Sequence, residues 1–173
     1  DALMNLAGNM YVGAIGDIAE ERLLDLFHSN VVAGMMLAQV AKSHLAESEG
    51  CIVFAGSVHT RRAFPGASAY AATKGAIEAL TGVLAAELGR NGIRVNCVRP
   101  GGVHTDLLIR SGMAKDAEEA RARVEGLASA HVLGRIGTVE EIAEALEYLV
   151  CAEWTTGEVL TVDGGLSLGV TKG

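Results

Sequence analysis

Positive charge is scarce in this chain of 173 residues: 14 lysines and arginines stand against 21 acidic residues, a formal charge of −7. A nucleic-acid surface needs a basic patch, and the one basic pair in an informative place is Arg61–Arg62. No nucleic acid is expected as a partner. Long hydrophobic runs are missing too. The longest apolar stretch, near Val31–Val40, is interrupted by Gly34 and Gln39 and is shorter than the ~20 residues of a bilayer-spanning helix, so no membrane partner is expected. No basic segment followed by an apolar one opens the chain, and no secretory leader is read there. Cysteine is limited to Cys51, Cys97 and Cys151. An odd number, widely spaced in apolar segments, argues against a disulfide framework and for a reducing cytoplasm. His28, His44, His59, His104 and His131 show no metal-ligand spacing, and neither CxxC nor HExxH occurs, so no metal site is expected.

What is present is apolar substance: 50% of the residues are hydrophobic, enough for a real core. The length is that of one domain, taken as 1–173. Short β-like runs alternate with long helical ones. Leu3–Asn5 reads as the end of a strand. Asp17 is positioned to cap a helix from Ile18 to about Ala46, with Glu20 and Glu21 in its first turn. Cys51–Ala55 is a short apolar strand and 56–65 a loop. Ser68–Leu88 is an alanine-rich helix closed by Gly89 and Asn91–Gly92. Arg94–Val98 is a strand stopped by Pro100, Gly101 and Gly102. Residues 104–131 form a charged amphipathic insertion. Thr138 caps a helix from Val139 to about Val150, and Val159–Val162 is a last strand. Such alternation predicts parallel βαβ units and an α/β sheet covered on both faces. The first residue is Asp, inside what reads as a buried strand, and the expectation is that something upstream is missing.

Chemistry concentrates around Tyr70 and Lys74. Their i, i+4 spacing puts both on one face of the helix from Ser68. A tyrosine with pKa ~10 is a poor base at neutral pH. An ammonium ~4 Å away contributes about 4 kcal/mol at an effective dielectric of ~20, roughly three pKa units, enough to bring the phenol near neutrality. Ser57 ends the CIVFAG strand, where parallel sheets place their ligands, and can hydrogen-bond a substrate oxygen. Asn30 sits mid-helix, where asparagine is mildly unfavourable unless its side chain has a task.

Asn30, Ser57, Tyr70 and Lys74, spaced 27, 13 and 4 residues apart, resemble the Asn–Ser–Tyr–Lys active site of the short-chain dehydrogenase/reductase family. Three further segments match. Asn5–Leu6–Ala7–Gly8 is similar to the family's Asn-Asn-Ala-Gly strand end. Pro100–Gly101–Gly102–Val103–His104–Thr105 is similar to its Pro-Gly-x-Val/Ile-x-Thr turn. Gly134–Gly137, Glu140–Ala143, Thr156–Gly157 and Val162–Gly165 resemble its C-terminal end. The match runs from residue 1 to about 166. Two departures stand out: Leu6 replaces the motif's second Asn, and no Thr-Gly-x-x-x-Gly-x-Gly loop occurs.

The resemblance implies a Rossmann-like, doubly wound parallel sheet lacking the first βαβαβ portion, which would hold the pyrophosphate and adenosine of a dinucleotide. It implies an NAD- or NADP-dependent oxidoreductase interconverting a secondary alcohol and a ketone, similar to 3-oxoacyl-carrier-protein reductases. Its partners would be a small carbonyl or alcohol substrate and copies of itself, as homodimer or homotetramer. By resemblance Tyr70 transfers the proton on the substrate oxygen. Lys74 lowers its pKa and bonds the nicotinamide ribose, Ser57 polarises the substrate, and Asn30 holds a relay water. Val103 and Thr105, in the turn begun by Pro100 and Gly101, hold the carboxamide. Asn5 and Gly8 lie beside the cofactor path, and 104–131 is the substrate lid. The printed chain alone is expected to be inactive. The alternative is a non-catalytic oligomerisation module of the same descent. A hydrolase reading of the Ser57-x-His59 pair lacks a G-x-S-x-G elbow.

Overall fold

The computed structural model describes residues 1–169. Four strands, β1 (Ala2–Asn5), β2 (Cys51–Ala55), β3 (Arg94–Pro100) and β4 (Val159–Val162), lie parallel in the order β1-β2-β3-β4. Every connection must therefore cross back over the sheet, and each does so through helix. Between β1 and β2 run α1 (Glu20–Phe27), a π-helical segment (His28–Val32) and α2 (Ala33–Glu47). Between β2 and β3 runs α3 (Ser68–Leu88). Between β3 and β4 come α4 (Leu107–Arg110), α5 (Ala117–Glu125) and α6 (Val139–Cys151).

The run CIVFA is apolar throughout because both faces of β2 are covered. Ile52 and Phe54 pack with Val95 and Cys97 against Ala38, Leu45, Ile77, Ala85 and Leu88 of α2 and α3. Cys51 and Val53 point the other way and pack with Val98 against Leu146 and Leu149 of α6. That is the period-2 alternation of a strand buried on both sides, and it makes the sheet doubly wound. Arg94, at the start of β3, donates to the carbonyls of Leu149, Val150 and Ala152. A cation thereby meets the otherwise unpaired carbonyls at the end of α6. Pairing of Asn5 with Phe54, Ala55 with Val98 and Pro100 with Val162 brings the carboxyl ends of all four strands to one edge.

Ser68–Leu88 and Val159–Val162 fall where the sequence predicts, and Thr138 forms a full capping box with Glu141. Elsewhere the outcome differs. Asp17 caps nothing: it lies in a turn with Gly16 at φ 105°, and α1 starts at Glu20 with Ala19 as its uncapped N-terminus. Gly89 does not close α3; a 3-10 turn carries the chain on to Gly92, whose φ of 75° makes the left-handed stop. The 104–131 insertion folds as α4, α5 and a 3-10 turn at Ala128–Ala130. The apolar stretch near Val31–Val40, read as too short to span a bilayer, lies within a continuous helical run, Glu20–Glu47, whose 28 residues are long and apolar enough to cross a membrane by length and composition. In this fold Leu26, Asn30, Gly34, Ala38 and Leu45 of that helix are buried within the protein.

Candidate active site

β2 delivers Ser57 two residues past its end, and α3 delivers Tyr70 and Lys74 from its first turns. The three line one cavity of about 430 Å³. Gly8 and Asn9, beyond β1, lie on the same wall. Pro100, Gly101, Val103 and Thr105 face them from the end of β3, with Leu107 and Arg110 of the lid and Ile142 and Leu146 of α6 completing the lining. Asn5 and Asn30 are brought near but stay outside the wall. Asn5 is buried beneath α2, where a Cβ at Gly34 would come 2.7 Å from its Nδ2.

Asn30 is 2% exposed and fully engaged. Its Oδ1 accepts from the Asn9 amide at 2.8 Å, and its Nδ2 donates to the Asn9 carbonyl at 2.9 Å and to Thr73 Oγ1 at 3.0 Å. Thr73 in turn donates to the Tyr70 carbonyl. The side chain therefore bolts the loop after β1 to α3, and its carboxamide has no hydrogen left for a relay water. The task that overrides its poor helix propensity is this clamp.

Lys74 Nζ donates to the Ala55 carbonyl at 2.9 Å and lies 5.6 Å from the Tyr70 ring centre. The expected lowering of the phenol does not follow. Burial pushes Tyr70 above its usual value of 10, opposed only by the Ser57 hydroxyl, and burial pulls Lys74 down. Without a ligand the ammonium spends a hydrogen bond on Ala55 rather than on the phenol side. Two N–H donors of Lys74 remain, directed by a chain that runs past Gly8. A Cβ on Gly8 would stand 3.1 Å from Asn30 Oδ1 and 3.5 Å from Lys74 Nζ, so the glycine keeps this approach open.

Ser57 Oγ lies 3.0 Å from His59 Nδ1 and accepts from the His59 amide at 3.3 Å. The ring is stacked on Phe64 and edge-on to Tyr70, and burial pulls His59 down to about 4. A serine–histidine pair is thus present, but among the described residues no carboxylate hydrogen-bonds the ring as a nucleophile's base requires. The hydrolase reading ends there.

Two functional groups had no local signal. Arg99 and Glu78 form a buried pair at 2.7 Å. Arg99 also donates to Thr161, and Glu78 accepts from Thr60, whose hydroxyl also lies 2.9 Å from the Ser57 carbonyl. The loop carrying Ser57 is thereby tied to α3, β3 and β4 together. The partners stand 21 residues apart on different elements, so no spacing rule finds them. Arg62, of the basic pair, donates to the Leu166 carbonyl at 2.7 Å.

Fold and site together define a doubly wound α/β protein with a Ser–Tyr–Lys cavity at the carboxyl ends of its strands. A family model described as enoyl-(acyl carrier protein) reductase matches residues 1–167, and the chain belongs to the short-chain dehydrogenase/reductase family. It is 36% identical over 167 residues to the 3-oxoacyl-[acyl-carrier-protein] reductase of Homo sapiens, with 96% of this chain and 66% of that protein covered. A solved short-chain dehydrogenase/reductase family protein superposes with a TM-score of 0.83 at 34% identity, covering 97% of this chain and 67% of that one. A gluconate 5-dehydrogenase from Burkholderia cenocepacia, solved with NADP and tartrate, gives 0.86 at 30%, covering 98% and 66%. The chain spans 65–66% of the length of the first curated relatives it matches.

Proposed function

We propose that the protein interconverts a secondary alcohol and a ketone with NAD or NADP. The observation that carries this reading is the convergence of Ser57, Tyr70 and Lys74 on one cavity opposite the Pro100–Thr105 turn. The residues fit the nicotinamide half of such a cofactor. Gly8 leaves the path beside Lys74 open, and the backbone N–H and C=O of Val103 make no hydrogen bond among the described residues while lining the same cavity. When bound, the cofactor supplies or accepts the hydride. Lys74 and Val103 would hold it. Tyr70 Oη exchanges a proton with the substrate oxygen, and Ser57 Oγ hydrogen-bonds the same oxygen, stabilising charge as it develops there. For the phenol to act near neutrality the Lys74 ammonium, with one N–H on the Ala55 carbonyl, must favour the phenolate through its charge or a remaining N–H. Asn30 acts through Asn9 and Thr73 as a positioning residue; any relay water it holds would meet its backbone carbonyl. Two buried thiols and an exposed one, none in a disulfide, agree with a cytoplasmic location. The relatives' printed names favour a 3-oxoacyl or hydroxy-acid substrate.

A second copy of the chain is the proposed macromolecular partner. Val32, Met36 and Val40 form an exposed apolar stripe at i, i+4 spacing, and Leu24 on α1 and Val83 on α3 are exposed as well. A two-fold contact would bury it; light scattering should give a dimer or tetramer, and a clean micromolar monomer would exclude it.

The function is tested by assaying the whole protein with NADH and NADPH against 3-oxoacyl thioesters, keto acids and keto sugars. Tyr70→Phe keeps the ring and deletes the proton. It should lower turnover about 10²–10⁴-fold while cofactor affinity holds, whereas Lys74→Ala should weaken both. Near-full activity in Tyr70→Phe would overturn the assignment.

A further inference from the structure

His131 belongs to none of the motifs above, yet its ring is 4% exposed and joins two parts of the site. Nδ1 lies 2.8 Å from the Leu127 carbonyl. A carbonyl only accepts, so Nδ1 carries the hydrogen. Nε2 of the neutral ring is then bare, and it takes the Gly102 amide at 3.2 Å. Only one of the two tautomers satisfies both bonds. The ring is sandwiched between glycines: a Cβ at Gly102 would come 3.1 Å from its Cε1, and one at Gly164 would come 3.3 Å from its Cδ2.

The consequence falls on the turn. The Gly102 carbonyl is already taken by the Gly137 amide at 2.9 Å, and the Gly101 amide by the Val162 carbonyl at 3.0 Å. With His131 on the Gly102 amide, the Gly101 and Gly102 amides and the Gly102 carbonyl are all bonded, which fixes the chain just before Val103, a residue that lines the cavity and whose N–H and C=O make no hydrogen bond among the described residues. Leu127 and His131 close the lid segment that begins at Thr105, so the same ring connects the lid's end to the turn's start.

We propose that His131 is a positioning residue, a Nδ1-protonated latch that fixes the Pro100–Thr105 turn for the nicotinamide end of the cofactor and couples that turn to the lid. Its functional half rests on the oxidoreductase reading above; the hydrogen-bond half does not.

Three substitutions in the whole protein separate the bonds. Gln places Oε1 near Nε2 and keeps an acceptor for Gly102. Asn places Nδ2 near Nδ1 and keeps only the donor to Leu127. Leu keeps neither. His131→Leu should raise KM and Kd for the nicotinamide cofactor about five- to tenfold, the scale of one hydrogen bond, with a smaller change in kcat. His131→Gln should restore most of the loss and His131→Asn should not. If the Leu variant fails to fold, the contrast between Gln and Asn decides. Two-bond ¹H–¹⁵N spectra of the imidazoles should show His131 protonated on Nδ1 and bare on Nε2. Equal Gln and Asn variants, wild-type cofactor binding in His131→Leu, or an Nε2-protonated ring would each overturn the latch. A wild-type protein that binds neither NADH nor NADPH in fluorescence titration would instead sink the oxidoreductase reading and the cofactor half with it, and the tautomer would still decide the tie between lid and turn.

Discussion

Helix α3 and the lid face each other across one cavity and are built by opposite rules. On the α3 side Tyr70, Thr73 and Lys74 are all buried, Thr73 and Lys74 each donate to a backbone carbonyl, and the ion pair Glu78–Arg99 is 13% and 5% exposed. The 104–131 segment carries its ion pairs in water: Arg123–Glu119 at 53% and 32% exposure, and His104–Glu125 at 35% and 48%. Buried pairs are costly to break and rigid while intact; exposed pairs are worth little and can be exchanged. The groups proposed for proton transfer, whose placement matters to a fraction of an ångström, sit on the first kind of support, and the 104–131 segment sits on the second. Among the polar side chains of that segment His131 alone is buried.

Breaking the buried side should show the contrast at its largest. Arg99→Met leaves the Glu78 carboxylate and Thr60 without their cation and should cost about 3–5 kcal/mol in chemical denaturation. Pairing it with Glu78→Gln should recover part of that loss. A loss below 1 kcal/mol in the single variant would remove the distinction between the two sides. Next comes Asn30→Ala, which strands the Asn9 amide and carbonyl and should destabilise by about 2–3 kcal/mol. Turnover should fall with it, while Asn30→Asp, which retains an acceptor for Asn9, should fall less in kcat.

Histidine 59 sharpens the comparison through pH. Its folded value of about 4 lies below the usual 6.5, so the unfolded chain takes up the proton first. The neutral ring thus costs nothing above pH 6.5. Stability falls progressively as pH drops from 6.5 toward 4 and the effect levels off below that. Discounted for partial exposure, its size is about 2 kcal/mol. The stability difference between wild type and His59→Phe should shrink by that amount between pH 7 and pH 4; a constant difference would place the ring in water. The smallest effect belongs to the lid. Arg123→Ala should change stability by at most about 0.5 kcal/mol, and less in high salt, as thermal melts at two ionic strengths would show.

Much of this was legible from residue patterns, and what was not has a common cause. Ser68–Leu88 declares itself because its alanines and period-3.6 apolar positions lie within one segment, and Thr138 with Glu141 is a local capping pair. Ser57, Tyr70 and Lys74 were found through spacing and do line one cavity. The Arg99–Glu78 pair and the His131 latch are bonds between distant elements, invisible to any window along the chain. Asp17 misled because it is a good cap by type, while the preceding Gly16 takes up a turn that leaves the aspartate one turn short of the helix. The expected Tyr70 shift misled for another reason: i, i+4 spacing brings Lys74 to the right face but does not say which oxygen its ammonium will choose.

The π-helical turn at His28–Val32, where the Ala33 amide reaches back five residues to the His28 carbonyl, acts as a phase shifter. At about 100° per residue, an uninterrupted α-helix would set Leu26 and Ala38 about 120° apart, and Leu26 and Leu45 about 100° apart. The one extra residue taken up by the π turn subtracts about 100°, which returns Gly34, Ala38 and Leu45 to within roughly 20° of Leu26. These are the residues the helix buries. Two half-helices whose inward stripes are out of step in the linear sequence are thus brought into step by one looped residue. A single-residue deletion there would give a more regular helix by hydrogen bonding and a worse protein by geometry. It would swing one half's apolar stripe into water. The length of this segment is therefore held by rotation rather than by the identity of any one of its residues.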